Sequence, residues 1–214
     1  MEVLETIDAV VGKRAPGVPP SYTGAHVLIT LENISSSGSI GRQRLSRILR
    51  IGEGATRTLV KRLSMEGLIK VSRGGITLTE KGRELFSELR KKISKEVDVP
   101  KSRVTLGSSN VAILVSGLAS AVRKGIEQRD AAIKAGALGA TTLTYDGNKL
   151  IIPSVEEEEF RRDPIYDALI SKLKPKNGDV IVIGSAEDEH SASLGAKMAA
   201  LELLRAAEQT RGLL

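Results

Sequence analysis

The order of local patterns within residues 21–79 constrains the fold most strongly. Apolar residues recur at helical spacing in 21–34 and again around Leu45 and Leu49. A third helical pattern, over 53–65, places four residues on one face: Thr56, Leu59, Val60 and Leu63. Two short alternating runs then flank Gly74-Gly75, which predicts two antiparallel strands joined by a tight turn. Three helices followed by a hairpin predict a compact helical unit that carries a β-appendage.

The motifs around this hairpin support a more specific prediction. Leu63 is followed by Glu66-Gly67-Leu68-Ile69, the hairpin turns at glycine, and Thr79-Glu80-Lys81-Gly82 opens the next helix. Through these motifs the chain resembles the DNA-binding domain of MarR-like and GntR-like regulators over about residues 21–95. The resemblance implies a winged helix-turn-helix fold. The chain departs from it at Gly52-Glu53-Gly54, where relatives often carry a Ser or Thr cap, so we expect Gly52 to lie outside the helix.

The charge distribution indicates a polyanionic partner for the first half of the chain. Residues 1–100 hold 17 basic and 11 acidic side chains, whereas residues 101–214 hold 15 of each. The net charge of +6 therefore belongs to the first half, and between Ile40 and Gly75 nine basic residues face only two acidic ones. A localised positive field attracts nucleic acid, although a solvated charged face has the same composition.

The third helix and its neighbours supply the candidate DNA contacts. With the apolar face packed inward, Arg57, Thr58 and Lys61 face outward, where arginine can contact guanine in the major groove. Basic residues at the start of the preceding helix suit phosphate, and another arginine lies beside the hairpin turn. The predicted DNA-binding set is Arg42, Arg44, Arg57, Thr58, Lys61, Arg62 and Arg73. The alternative is that these charges form only a solvated surface.

Composition narrows the remaining classes of function. Five aromatic residues offer little for stacking on single strands, which favours duplex DNA over RNA. The absence of Cys excludes disulfides and Cys-ligated zinc, and two His do not support a His-rich metal centre, so no metal or cofactor is predicted. No apolar run reaches the ~18 residues of a membrane helix, and the start is acidic, so a cytoplasmic protein is expected. Plentiful Glu and Lys with scarce Asn and Gln are compatible with a thermophile.

Charge balance and periodicity change at Pro100, which predicts two domains, 1–98 and 101–214. The predicted elements of the second domain are a strand at 111–115, a helix ending near Gly136, a hairpin around Asp146-Gly147-Asn148, a helix opened by Asp163-Pro164, a strand at 179–183 and a helix at 188–210. This β-α-β-β-α-β order plus a final helix predicts a ferredoxin-like, split βαβ sheet with helices on one face, and hence an α+β chain. The acidic run 156–159 is expected to be a solvated loop.

One candidate ligand site in the second domain lies on its first helix. Asp130 borders the apolar face that Ile126 and Ile133 are expected to form, and Arg123 lies two turns earlier. A carboxylate at such a position needs partners. The pattern indicates either an internal ion pair, with Arg123 or Arg129, or the floor of a polar pocket for a small effector.

A second candidate lies where the strand at 179–183 leads through Ser185 to His190. Strand ends that open onto a helix N-terminus are common ligand positions, although acidic residues in a first turn also serve the helix dipole. The candidate ligand-binding set is thus Arg123, Asp130, Ser185 and His190. Residues 123–153 faintly resemble an uncharacterised archaeal domain found behind winged helices, which implies no chemistry.

The sequence contains no serine-hydrolase, P-loop or dinucleotide-binding motif, so no catalytic residue is predicted. We expect a sequence-specific duplex-DNA-binding transcriptional regulator whose second domain senses a small ligand or mediates assembly. The alternative is a small-molecule-binding enzyme that carries a regulatory winged helix. An i+4 stripe after Thr79 indicates either packing within the domain or a homodimer contact: Leu85, Leu89, Ile93 and Val97.

Overall fold

The computed structural model describes residues 2–12, 20–152 and 160–211. It forms two compact units, Met1–Leu89 and Arg90–Leu214. The chain mixes helix and strand in a two-domain layout, which confirms the predicted class. The acidic run at 156–159 lies outside the described residues. Across the described ranges, none of the helices has both the length and the hydropathy needed to span a membrane.

Unit 1 starts with helices that share an apolar core: α1 (Glu2–Val11), α2 (Gly24–Ser37), α3 (Arg42–Leu49) and α4 (Glu53–Met65). The bounds of α4 are those that the sequence predicts. Its apolar face is buried at all four predicted positions: Thr56, Leu59, Val60 and Leu63. This face packs against α1, α3 and the strand that follows, so the opposite face of α4 is the one that remains exposed.

A β-hairpin follows α4, as predicted, and is formed by β1 (Ile69–Ser72) and β2 (Gly75–Leu78). The strands are antiparallel, with Ile69 opposite Leu78, and the turn is Arg73-Gly74, one residue earlier than predicted. Gly75 has a φ of 113°. Strand β2 therefore begins, directly after the turn, with a backbone conformation that only glycine adopts without strain.

The segment before α3 fastens this hairpin to the helical core. The Ser39 hydroxyl donates a hydrogen bond to the Gly74 carbonyl at 2.7 Å. Gly41 occupies the cap position of α3. Two backbone hydrogen bonds of 2.9 and 3.0 Å between Ile40 and Ile76 form an additional antiparallel bridge. The hairpin formed by β1 and β2, which we call the wing, is thus held at both its tip and its second strand.

Helix α5 (Glu80–Lys92) begins at the predicted cap, where the Thr79 hydroxyl accepts a hydrogen bond from the Gly82 amide at 3.0 Å. The predicted stripe is helical only through Leu89, because α5 ends at Lys92 and Val97 lies in strand β3 (Val97–Asp98). This strand pairs with the sheet of unit 2. Unit 2 therefore starts before Pro100.

The remaining strands of unit 2 are β4 (Ser109–Val115), β5 (Gly139–Tyr145), β6 (Leu150–Ile151) and β7 (Val180–Ala186). They form one sheet in the order β3-β4-β7-β5-β6, in which all neighbours are antiparallel. The described part of unit 2 also contains the α-helices α6 (Ile126–Lys134), α7 (Pro164–Leu173) and α8 (Glu189–Arg211), and Asp163 caps α7 as predicted.

The strand order of unit 2 confirms a split βαβ and corrects the ferredoxin-like expectation. Strands β4 and β5 both run antiparallel to β7, so they are parallel to each other and separated by it. In the expected sheet the third strand of the β-α-β-β-α-β series fills that gap, whereas here the last strand does. Strand β7, every residue of which is buried, lies at the centre of the sheet, where a strand is covered on both faces.

The helices of unit 2 lie on both faces of the sheet, so the expectation of one covered face was wrong. Ile181 and Ile183 pack in a cluster with Ile165 and Leu169 of α7. On the opposite face α6 and α8 pack together. There Gly184 lets α8 approach closely, since a Cβ at that position would overlap the α8 backbone.

The expected apolar face of α6 was also wrong. Ile126 and Ile133 are exposed, whereas Gln128, Ala131 and Ala132 are buried. The small side chains face α8 because the two helices pack closely there, and a Cβ on Gly195 would meet Ala132 and Ala137. Close packing thus selected alanine for the buried face and left isoleucine outside.

Candidate nucleic-acid interface

The N-terminus of α4 is open to its surroundings. Gly52 has extended backbone angles and precedes the helix, as expected from the two glycines. Its carbonyl accepts hydrogen bonds from the Thr56 amide at 3.0 Å and the Thr56 hydroxyl at 3.2 Å. A Cβ added at Gly52 or Gly54 would meet no atom within 4 Å. Another molecule can therefore approach this end of the helix closely.

The exposed face of α4 carries the predicted side chains. Arg57, Thr58 and Lys61 are all exposed. The Thr58 hydroxyl donates to the Gly54 carbonyl at 3.0 Å, so it is directed along its own helix. Arg57 and Lys61 remain as the cationic groups that α4 presents to solvent, opposite its buried face.

The starts of α3 and α4 share a cleft of about 160 Å³, lined by Arg42, Gln43, Glu53, Thr56 and Arg57. Arg44 is exposed on the same first turn of α3. The cleft combines guanidinium groups with an amide and a carboxylate, the side chains that bind guanine, adenine and cytosine edges. Gln43 and Glu53 carry no positive charge, so the charge pattern of the sequence did not predict them. Their places in the first turns of two adjoining helices are the signal that could have identified them.

The tip of the wing adds a third cationic position. Arg73 is exposed in the turn between β1 and β2, and Lys70 is exposed on β1. The hydrogen bond from Ser39 to Gly74 holds the turn beside the start of α3. Arg73 thus lies where the sequence predicts, on an anchored turn.

Arg62 differs from the rest of the predicted set. Its Nη1 atom donates hydrogen bonds to the carbonyls of Val10 at 2.9 Å and Gly12 at 2.6 Å, and its guanidinium lies 5.9 Å from the centre of the Tyr22 ring. These carbonyls lie at the C-terminus of α1, where unsatisfied acceptors attract a cation. Arg62 therefore has a structural role inside unit 1.

The residues proposed as a ligand site in unit 2 occupy different environments. Arg123 is exposed in the loop before α6, and Asp130 forms an exposed ion pair with Arg129 at 3.0 Å. The predicted pairing with Arg129 is therefore present, but at the surface. Ser185 is buried and donates to Asn110 Oδ1 at 2.7 Å, and His190 is half-buried near the start of α8. The Asp130 carboxylate is not the floor of a buried pocket.

A buried polar cluster in unit 2 has no counterpart among the sequence predictions. Lys197 is buried on α8 and forms an ion pair with Glu96, which also accepts a hydrogen bond from the Ser193 hydroxyl at 2.7 Å. Burial raises the pKa of Glu96, but the Lys197 charge and the hydrogen bonds from Lys197 and Ser193 outweigh it and leave this pKa below its ordinary value. The ion pair fixes the segment before β3 to α8. Glu96 and Lys197 are far apart in the sequence, so the sequence did not predict this contact.

The helices of unit 1 and the antiparallel hairpin that follows them form a winged helix-turn-helix fold. Consistent with this class, residues 28–93 match the family model described as the CggR N-terminal DNA-binding domain. Residues 106–203 match a family described as a domain of unknown function, DUF4443.

A solved structure is similar across both units. It is a hypothetical protein, PH0730, from Pyrococcus horikoshii OT3, with 29% sequence identity and a TM-score of 0.65. The match covers 87% of this chain and 100% of that one. No curated protein matched the chain. The likeness to this archaeal protein therefore includes residues of both units.

Proposed function

We propose that the chain is a sequence-specific regulator of transcription that binds duplex DNA through unit 1 and has no catalytic activity. The observation that supports this proposal is the presentation of Arg57 and Lys61 on the solvent face of α4, whose other face is buried in the core. A helix of this kind fits the major groove of B-DNA.

Each exposed cation has a role in this proposal that follows from its place. Arg57, in the cleft between α3 and α4, reads a guanine edge. Arg42 and Arg44, at the start of α3, contact phosphates and set the orientation of α4. Arg73 reaches the backbone or the minor groove from the tip of the wing.

The test begins with selection of a preferred duplex from a random pool, followed by binding isotherms at several salt concentrations. We expect the logarithm of the association constant to fall with that of the salt concentration, with a slope near 0.9 per phosphate contacted. Arg57→Ala should weaken binding to the selected duplex by about 1–3 kcal/mol and relax its sequence preference. Lys61→Ala should weaken all duplexes to a similar extent.

Lys101→Ala provides the matched control, because Lys101 is an exposed cation in unit 2. It should leave affinity and preference unchanged. Salt-independent binding, or an Arg57→Ala protein that selects the same duplex with the same affinity, would refute the proposal.

We also propose that unit 2 senses a small ligand or mediates assembly, and thereby alters DNA affinity through linkage. Thermal-shift screening of metabolites on the full chain provides candidate ligands for a sensing role. A stabilising compound that changes affinity for the selected duplex supports this role. A compound that is consumed on incubation with the protein supports the enzyme alternative instead.

A further inference from the structure

Exposed apolar side chains are concentrated on one part of unit 2. Of the seven large apolar residues that are exposed among the described residues, four belong to this part: Leu106 (62% exposed), Ile126 (44%), Ile133 (47%) and Leu138 (45%). Ile126 and Ile133 lie two turns apart on the same face of α6. We call these four residues, with Arg129 and Asp130, the α6 patch.

Leu106 lies close in space to α6, although the two are separated in the sequence. A Cβ on Gly139 would lie 2.8 Å from Leu106 Cδ1 and 3.7 Å from Arg129 Cγ, so Leu106 lies beside the α6 side chain. Leu138 directly precedes Gly139, in the segment between the end of α6 and β5. Several large apolar side chains exposed in one part of a domain mark a site of macromolecular contact.

The pattern of residues along α6 identifies the partner. The exposed face reads Ile126, Arg129, Asp130, Ile133, and both its apolar and its charged positions are symmetric about the midpoint between Arg129 and Asp130. The side chains of Arg129 and Asp130 are each about half exposed, so both charges are available at the surface.

A two-fold axis through that midpoint places two copies of α6 antiparallel. Ile126 then packs against the partner's Ile133, and Arg129 faces the partner's Asp130. An isologous contact requires this property, since the same patch must complement itself. Residues 101–214, which include the patch, hold equal numbers of basic and acidic side chains, so this half of the chain adds no net charge that opposes the association.

We propose that the α6 patch is the contact through which two copies of this chain form a homodimer. This inference does not depend on DNA binding. It differs from a dimer through the α5 stripe, whose helical members Leu85 and Leu89 are buried.

The test uses charge reversal on the full chain, read by sedimentation equilibrium at micromolar protein without DNA. The unmodified chain should sediment at twice its 22.8 kDa mass. Arg129→Asp places two carboxylates on each copy, and Asp130→Arg places two cations, so each variant alone should dimerise at least tenfold more weakly. An equimolar mixture of the two variants should recover the dimer, because their patches are then complementary.

The double variant Arg129→Asp/Asp130→Arg should also dimerise, since reversal preserves the symmetry. Ile133→Asp should yield a monomer, whereas Ile151→Asp, at an exposed isoleucine outside the patch, should not. Circular dichroism verifies that each variant is folded. A monomeric unmodified chain, or Arg129→Asp and Asp130→Arg proteins that dimerise alone as well as when mixed, would overturn the proposal.

Discussion

Lys61 and Arg62 are consecutive cations on α4 with opposite environments. Lys61 is exposed, whereas the Arg62 guanidinium is held by two carbonyls at the end of α1 and lies over Tyr22. A step of one residue rotates a side chain by about 100° around a helix, which here separates the solvent face from the contact with α1. Charge alone therefore does not assign a cation to the DNA-binding surface.

This difference predicts that a substitution at Arg62 lowers stability, whereas one at Lys61 weakens DNA binding. Arg62→Met keeps the aliphatic stem but removes both hydrogen bonds, so the free energy of unfolding should fall by about 1.5–3 kcal/mol. Lys61→Met should change it by no more than about 0.5 kcal/mol and should instead weaken DNA binding. Urea titration measures the first quantity and binding isotherms the second. Equal losses of stability in the two variants would contradict the structural role of Arg62.

At the scale of elements, two helical glycines show what close approach demands. Gly82 lies in the first turn of α5, where a Cβ would overlap the Leu68 carbonyl oxygen, whereas Gly54 in the first turn of α4 has open space around it. Gly82 therefore lets α5 start against the residue that precedes β1. Gly82 belongs to the Thr79-Glu80-Lys81-Gly82 motif, and close packing explains why this motif contains a glycine.

We expect the two glycines to respond oppositely to alanine. Gly54→Ala should raise the free energy of unfolding by up to about 1 kcal/mol, because alanine restricts the unfolded chain and favours helix. Gly82→Ala should lower it by about 1–3 kcal/mol through steric overlap. Thermal unfolding of the two variants provides the comparison. A Gly82→Ala protein as stable as the Gly54→Ala protein would show that α5 can shift without cost.

Elements whose signals are local could be predicted from the sequence. The bounds of α4 and the caps of α5 and α7 follow from periodicity, Thr79 and Asp163. The order of the strands could not be predicted, because it depends on which strand is buried on both faces. The exposed face of α6 could not be predicted either. Close contact with α8 buries the alanines of α6, and the larger isoleucines are therefore exposed. In the candidate site, the positions of Arg57 and Lys61 were predictable, whereas the contacts of Arg62 with α1 were not.

At the scale of the whole molecule, the first and second halves of the sequence differ in net charge, and this difference accords with different partners. The net charge of the chain resides in residues 1–100, whereas residues 101–214 are neutral and carry the self-complementary α6 patch. In the proposed arrangement, unit 1 supplies affinity for a polyanion and unit 2 supplies the second copy. A second binding event on the same duplex then becomes intramolecular, which raises the overall affinity without a new contact to DNA.

The two proposals together predict an effect that neither predicts alone. Arg129→Asp should bind a duplex with a single selected half-site as tightly as the unmodified chain, because α4 is unchanged. On duplexes with two inverted half-sites at a series of spacings, the unmodified chain should bind at least tenfold more tightly at its best spacing, and Arg129→Asp should lose that gain. Binding isotherms on both sets of duplexes measure the effect. If Arg129→Asp keeps the two-site gain, the α6 patch does not join the bound copies. If it loses single-site binding as well, unit 2 contributes to DNA contact directly, and the division of roles between the units is wrong.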